Sequence, residues 1–247
     1  MRLWIDTDIG DNPDDAVALA CASAHPDVEL VGVSATGGRT EWRAAIARSF
    51  VAVHVVPGEH PDELAERLVV AKPDAVLAIG PLTNIAQLVV LGVPLPPVTV
   101  MGGLLEPLRH RGRLRRVESN FSRDPAAASV VVESTDATIV PLDVTVAMRM
   151  SASAVDALVA ADRRLAPPFE RWNAEQQGEP VVLHDPLALL VALGEPFATT
   201  EPRVLIADAT DGTLRESKAG RAHAVVTGVD APAAIDRVLG LLQERLG

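Results

Sequence analysis

Five aspartates lie within ten residues directly after the first apolar run, and they are Asp6, Asp8, Asp11, Asp14 and Asp15. Carboxylates this close repel one another unless a divalent cation, backbone N–H groups or water stabilises their charge. The apolar run before them predicts a strand, and the apolar run after them predicts a helix. Because open α/β folds bind ligands at the carboxyl ends of parallel strands, the pattern indicates a metal site there.

Short β-rich apolar runs alternate with helical patterns along the chain, as in consecutive βαβ units. These runs are apolar throughout, which fits a parallel sheet covered on both faces. With 247 residues, 48% of them hydrophobic, the chain can bury the core of one large domain. We predict a single domain over residues 1–247, an α/β fold whose open, mostly parallel, Rossmann-like sheet is flanked by helices. The predicted strands are Arg2–Ile5, Glu29–Ser34, Val53–Val56, Ala75–Ile79, Val98–Met101 and Ala137–Leu142, with further strands near Arg203–Ala207 and His223–Thr227.

Charge and cysteine content narrow the class of protein. The formal net charge of −11 argues against nucleic-acid binding. Cys21 is the only cysteine, so no internal disulfide can form and a reducing, cytoplasmic environment is expected. The sequence has no apolar stretch long enough to span a bilayer and no recognisable signal peptide, so no membrane partner is expected.

The aspartates alone leave several interpretations open. Asp14 can serve as the N-cap of the first helix, but a cap needs one carboxylate rather than five. An EF-hand is excluded, because Asp11 and Val17 stand where its loop needs glycine and glutamate. A Mg²⁺-dependent phosphohydrolase is a second hypothesis. Its nucleophile and acid would be Asp6 and Asp8, and its phosphate ligands would be Ser34 and Lys72.

The segment Asp-Thr-Asp-Ile-Gly, followed by Asp14-Asp15-Ala-Val-Ala-Leu, resembles the N-terminal signature of the inosine-uridine-preferring nucleoside hydrolases. Two departures are Ile9, where the family has proline, and a stretch before Asp14 that is two residues longer. Three further segments resemble the family in identity and order. They are Leu77–Ala86, Glu118–Pro125 and His184–Pro186.

This resemblance implies Ca²⁺-dependent hydrolysis of the N-glycosidic bond of ribonucleosides. The calcium ligands it implies are Asp8, Asp15, Asp185 and the backbone carbonyl of Ile79, an all-oxygen set that this hard ion prefers. Asp8 would take the proton of the attacking water, and His184 would protonate the leaving base.

The resemblance also implies how the ribose is held. Asp14 would accept a hydrogen bond from the 2′-hydroxyl, while Glu118, Asn120 and Asp185 would bind ribose hydroxyls. Asp6 would lie behind Asp8 and orient it. Family members are commonly dimers or tetramers, so the resemblance implies a homo-oligomer.

Several features depart from the family. The region between Val56 and Asp74 lacks a His-Gly-x-x-Gly loop, and Arg39 replaces an asparagine that touches the ribose. The segment Arg109–Arg116 has five arginines in eight positions. Together with Arg39 it suggests binding of an anionic group such as a 5′-phosphate, although Glu118 would repel that group.

Base recognition has few candidates, because only 3% of the residues are aromatic and none is tyrosine. Trp172 is the candidate for stacking against the base. The departures from the family also leave open a third hypothesis, a noncatalytic protein that binds ribonucleosides.

Overall fold

The structure, a computed structural model, describes residues 1–58, 60–110, 112–176 and 178–244. Arg111 of the arginine-rich segment lies outside the described residues. Eleven strands form one nine-stranded sheet and a separate hairpin. The strands are β1 (Arg2–Thr7), β2 (Glu29–Ala35), β3 (Val55–Pro57), β4 (Ala75–Ala78), β5 (Val98–Met101), β6 (Leu108–His110), β7 (Arg113–Arg115), β8 (Thr138–Val140), β9 (Ala198–Ala207), β10 (Leu214–Glu216) and β11 (Arg221–Val229).

The large sheet has the strand order β10-β9-β11-β8-β5-β4-β1-β2-β3. Pairing is parallel from β3 across to β11. At the other edge, β9 pairs antiparallel with both β11 and β10. The predicted α/β fold with an open, mostly parallel sheet is confirmed. β6 and β7 form the hairpin within the arginine-rich segment.

Helices cover both faces of the sheet, as the continuously apolar strands require. One face packs against α1, α2, α8, α10 and α11, and the other against α3, α4 and α6. A 3₁₀ turn spans Arg163–Leu165. The helices are α1 (Asp14–Ala24), α2 (Thr40–Ala47), α3 (Pro61–Ala71), α4 (Thr83–Val90), α5 (Ser119–Arg123), α6 (Pro125–Ser134), α7 (Leu142–Thr145), α8 (Ala152–Ala161), α9 (Ala166–Gln176), α10 (His184–Ala192) and α11 (Ala231–Glu244).

The direction of winding reverses between β1 and β4. From β1 the chain builds outward to β2 and β3, and it then returns to the opposite side of β1 to place β4 and β5. Reversal points of this kind leave a crevice at the carboxyl ends of the two strands. The aspartate-rich loop follows β1 and Ile79 follows β4, so both meet at this crevice. Among the described residues, no helix is long and apolar enough to cross a membrane.

Candidate active site

A cavity of about 110 Å³ lies at the crevice between β1 and β4. It collects residues from the four segments that carry the family resemblance, although these are far apart in the chain. Its lining consists of Asp8, Asn12, Asp14, Asp15, Ile79, Met101, Arg115, Val117, Glu118, Ser119, Asn120, Arg123, Leu142, His184 and Asp185.

Three carboxylates of this cavity form an acidic cluster, which consists of Asp14, Asp15 and Asp185. All three are buried, and one oxygen of each lies within 4.8 Å of the others. Asp14 and Asp15 start α1 and Asp185 lies in the first turn of α10, so two helix N-termini support the negative charge. The N-cap of α1 is Pro13 rather than Asp14.

The acidic cluster fits a divalent cation. Burial, followed by repulsion from neighbouring carboxylates, raises the pKa values of Asp15 and Asp185 well above their usual range. The hydrogen bond that Asp15 Oδ1 accepts from Thr7 Oγ1, at 2.6 Å, opposes the rise in the pKa of Asp15 without cancelling it. A cation would favour the ionised carboxylates, and carboxylate oxygens are the ligands that hard ions such as Ca²⁺ and Mg²⁺ prefer.

Two other aspartates of the same loop are bound by arginines, and we call Asp8 and Asp11 the arginine-bound pair. The Asp8 carboxylate forms an ion pair with Arg123, and its backbone carbonyl accepts from Arg43. Asp11 accepts from Arg43 at 2.8 Å and from Arg39 at 3.0 Å. The Asp11 carboxylate is therefore held by two arginines.

Asp6 is completely buried behind this loop. Its Oδ1 accepts from Ser34 Oγ at 2.5 Å and from Asn84 Nδ2 at 2.7 Å, while its Oδ2 has no hydrogen-bond partner among the described residues. Burial raises the pKa of Asp6 to about 7, against the effect of both hydrogen bonds. This environment does not suit the accessible nucleophile of a phosphohydrolase. Lys72 is also remote, since its carbonyl accepts from Arg2 at the amino end of β1.

Glu118 and Asn120 also line the cavity. Glu118 caps α5 and accepts backbone N–H groups of Asn120, Phe121 and Gly103 at 2.7 to 3.2 Å. Burial nevertheless raises its pKa to about 7. The Asn120 amide donates to the backbone carbonyls of Ile79 and Met101. These bonds hold the predicted ribose ligands beside the Ile79 carbonyl.

His184 completes the cavity at the start of α10. It is 8% exposed, and its Nδ1 lies 2.7 Å from Thr145 Oγ1. This contact fixes the orientation of the imidazole ring against the short helix α7. The ring therefore lines the cavity next to Asp185 of the acidic cluster.

Comparison with known proteins identifies the family. A family model described as inosine-uridine preferring nucleoside hydrolase matches residues 52–236. The chain belongs to this family. It is therefore a hydrolase that acts on N-glycosyl bonds. The aspartate-rich loop precedes the matched range, and the fold brings it to the matched residues.

Solved structures of nucleoside hydrolases share the fold of this hydrolase. A plant nucleoside hydrolase is 18% identical, with a TM-score of 0.79, covering 99% of this chain and 98% of that one. A purine-preferring ribonucleoside hydrolase from Gardnerella vaginalis is 20% identical, with a TM-score of 0.79 and coverages of 99% and 100%. An inosine-uridine preferring nucleoside hydrolase from Bacillus anthracis is 18% identical, with a TM-score of 0.80 and coverages of 98% and 99%. None of the curated proteins compared with the hydrolase matches it.

Two predicted substrate ligands of the hydrolase do not line the cavity among its described residues. Trp172 is 1% exposed in the core, and its Nε1 donates to the Glu179 carbonyl at 3.0 Å. The Arg39 side chain is 64% exposed and stacks over Trp42, with 4.3 Å between the guanidinium carbon and the ring centroid.

Sequence reasoning assigned no role to several residues that line the cavity, namely Asn12, Ser119 and Arg123, whereas Arg115, which also lines it, belongs to the arginine-rich segment proposed to bind an anion. Arg123 is the most informative of these, since it pairs with Asp8. Because Arg123 lies inside the Glu118–Pro125 segment, the motif indicates that it is close to the site. The motif does not indicate that its partner is Asp8, which lies 115 residues away in the chain.

Proposed function

We propose that the hydrolase cleaves the N-glycosidic bond of ribonucleosides in a Ca²⁺-dependent reaction that gives free base and ribose. The observation that carries this proposal is the acidic cluster beside His184 in one cavity. Hydrolysis at C1′ develops positive charge on the sugar, so a negatively charged wall favours the transition state. A histidine next to that wall suits protonation of the departing base.

Calcium is proposed because every available ligand is oxygen. Asp8, Asp15, Asp185 and the Ile79 carbonyl would hold the ion, and all four residues line the cavity. When bound, the ion would lower the pKa of a water molecule and hold the ribose diol. Asp8 would then divide its carboxylate between the ion and Arg123.

Asp8 is the proposed general base. Burial raises its pKa above the usual range, while the charges of Arg123 and Arg43 oppose the rise. A carboxylate with a raised pKa is a better proton acceptor than one exposed to water. The ion pair with Arg123 also fixes the direction of the carboxylate.

His184 is the proposed general acid toward the leaving base. Its Nδ1 contacts the Thr145 hydroxyl, which fixes the ring while the proton is transferred. Side chains that line the cavity would hold the ribose hydroxyls, and they are Asp14, Glu118, Asn120 and Asp185. The substrate contacts predicted for Arg39 and Trp172 would require movement of these side chains, and so would not form in this conformation.

Asp6 is proposed to act from behind the loop. Its hydrogen bonds with Ser34 and Asn84 tie the end of β1 to β2 and α4, and this would hold the backbone that carries Asp8.

The hydrolase is further proposed to be a single domain over residues 1–247, located in the cytoplasm and assembled as a homodimer or homotetramer. Light scattering on the purified chain tests the assembly.

A panel of ribonucleosides assayed for free ribose, with added Ca²⁺ or with a chelator, tests the proposed function. We expect equimolar base and ribose with Ca²⁺ and little product with the chelator. Inorganic phosphate release from phosphorylated compounds, without ribose release, would instead indicate a phosphohydrolase. Calorimetric binding of ribonucleosides with no ribose released would indicate a noncatalytic binding protein.

A further inference from the structure

A second cavity adjoins the candidate active site. Arg123 lines both cavities, so its side chain forms part of the wall between them. The second cavity lies at the carboxyl ends of β2, β3 and β4, and it is larger than the first, at about 560 Å³. Its lining includes Gly37, Thr40, Gly58, Thr83 and Arg123.

Two glycines, Gly37 and Gly58, lie in the loops that border this cavity. Gly37 has a φ of +78°, which disfavours side chains there. A Cβ on Gly58 would lie 2.2 Å from the Ala35 carbonyl oxygen, so close packing of the backbone requires glycine at this position.

One donor of the second cavity, the Thr40 hydroxyl, is buried without a hydrogen-bond partner among the described residues. Thr40 is only 4% exposed. Because a buried polar atom without a partner costs about 1–3 kcal/mol, such atoms are uncommon outside ligand sites.

Two helices begin at the second cavity. Thr40 is the first residue of α2 and Thr83 the first of α4, and neither helix has a side-chain N-cap hydrogen bond. The backbone N–H groups of an uncapped first turn favour a bound anion. Arg123 adds a positive charge at the shared wall.

The carboxylates around the second cavity already have hydrogen-bond or ion-pair partners. Asp124 accepts from the Thr83 hydroxyl at 2.5 Å and from the Ala127 N–H at 3.1 Å. Asp8 pairs with Arg123, and Asp11 pairs with Arg43 and Arg39. The remaining donors of the cavity are therefore the Thr40 hydroxyl, the first-turn N–H groups and the guanidinium edge of Arg123.

We propose that the second cavity binds a phosphate-type oxyanion beside the active site. Such an ion would accept hydrogen bonds from Thr40 and both helix N-termini, and would be attracted by Arg123. The oxyanion can be free in solution or be part of a phosphorylated nucleoside substrate. The second source rests on the proposed function, whereas binding of the free ion does not.

Calorimetric titration with inorganic phosphate tests the site, at micromolar calcium so that calcium phosphate stays dissolved. We expect Thr40→Val, which removes the unpartnered hydroxyl at nearly constant volume, to weaken phosphate binding about tenfold, as for one hydrogen bond to an anion. Thr200→Val, on the exposed part of β9, is the matched control and should bind as the wild type does. Thr40→Ala, which also removes the hydroxyl, is the second variant if Thr40→Val fails to fold. No phosphate binding by the wild type, or equal binding by a folded cavity variant, would overturn the proposal.

A kinetic comparison then separates the two sources of the oxyanion. A higher kcat/KM for a nucleoside 5′-monophosphate than for the nucleoside, reduced by Thr40→Val for the monophosphate only, supports the substrate as the source. Phosphate binding without this preference supports the free ion. Ribose release from the unphosphorylated nucleoside is measured separately. Phosphate binding without ribose release from the nucleoside would refute the proposed function but would still support the oxyanion site.

Discussion

The acidic cluster and the arginine-bound pair meet at the loop after β1, and their charges are compensated differently. Asp11 of the pair has a lowered pKa, because hydrogen bonds and charges from Arg43, Arg123 and Arg39 exceed the opposing effect of burial. Asp15 and Asp185 of the cluster have raised pKa values, since burial and mutual repulsion dominate. The chain supplies positive charge to Asp11 and, through Arg123, part of it to Asp8, whereas in the proposed function a bound cation supplies it to the acidic cluster.

The largest expected effect follows from Asp185→Asn, which removes one charge of the acidic cluster. We expect turnover to fall by about 10³-fold or more, since a bound cation contributes several kcal/mol to the transition state. Ribose release measures the loss, and circular dichroism checks that the fold is intact. Near-wild-type turnover of the folded variant would remove the acidic cluster from the mechanism.

Asp8→Ala tests the arginine-bound side of the same cavity. We expect turnover to fall about 10²–10⁴-fold, toward the detection limit, because the proposed general base is lost. Calcium affinity should fall less than in Asp185→Asn, since Arg123 already compensates the charge of Asp8. Substantial remaining turnover would refute the assignment of Asp8 as base.

Arg43→Ala and Arg39→Ala form a matched pair around Asp11. The Arg43 side chain is 3% exposed and also binds backbone carbonyls, so its loss should lower the free energy of unfolding by about 3 kcal/mol. The Arg39 side chain is 64% exposed, and its loss should cost less than about 1 kcal/mol. Urea denaturation measures both values. Equal losses would mean that burial does not distinguish the two arginines.

The pH dependence of the free energy of unfolding tests the raised pKa of a further carboxyl of this cavity, that of Glu118. Glu118, which lines the same cavity as the acidic cluster, has a pKa of about 7 in the folded state, because burial raises it above the usual value of 4.5. In the folded state it binds a proton that the unfolded chain releases, so stability falls as pH rises from about 4.5 to 7.

With chelator present, we expect the free energy of unfolding to be lower at pH 7.5 than at pH 5. The part contributed by Glu118 should be roughly 2 kcal/mol and should be absent in Glu118→Gln. Added Ca²⁺ should oppose the decrease, because it favours ionised carboxylates. A Glu118→Gln variant with the same pH slope as the wild type would contradict the raised pKa.

The central strands could be predicted from sequence because buried parallel strands are continuous apolar runs. The predicted strand Val98–Met101 agrees with β5 at both ends. The hairpin of β6 and β7 was not predicted, since arginines dominate its sequence and no apolar pattern marks it. The short helices α5 and α7 were missed too, because four or five residues show no helical period.

The structure brings the residues with the strongest motifs together, and Asp14, Asp185 and His184 line one cavity. Their roles remain predictions. The pairing of Arg123 with Asp8 depends on how α5 packs beside β1, and sequence spacing does not contain that information. Trp172 was chosen because aromatic residues are rare, but periodicity alone cannot tell whether its helix face lines a cavity or the core.

Calorimetric titration with Ca²⁺ tests most directly whether the acidic cluster is compensated by a bound cation. The account predicts about one ion bound per chain in the wild type and in Asp11→Asn, with similar affinities. Asp185→Asn should bind roughly 100-fold more weakly or not at all, as expected when a carboxylate ligand is lost. Binding by folded Asp185→Asn as tight as by the wild type, or none by the wild type, would contradict the account.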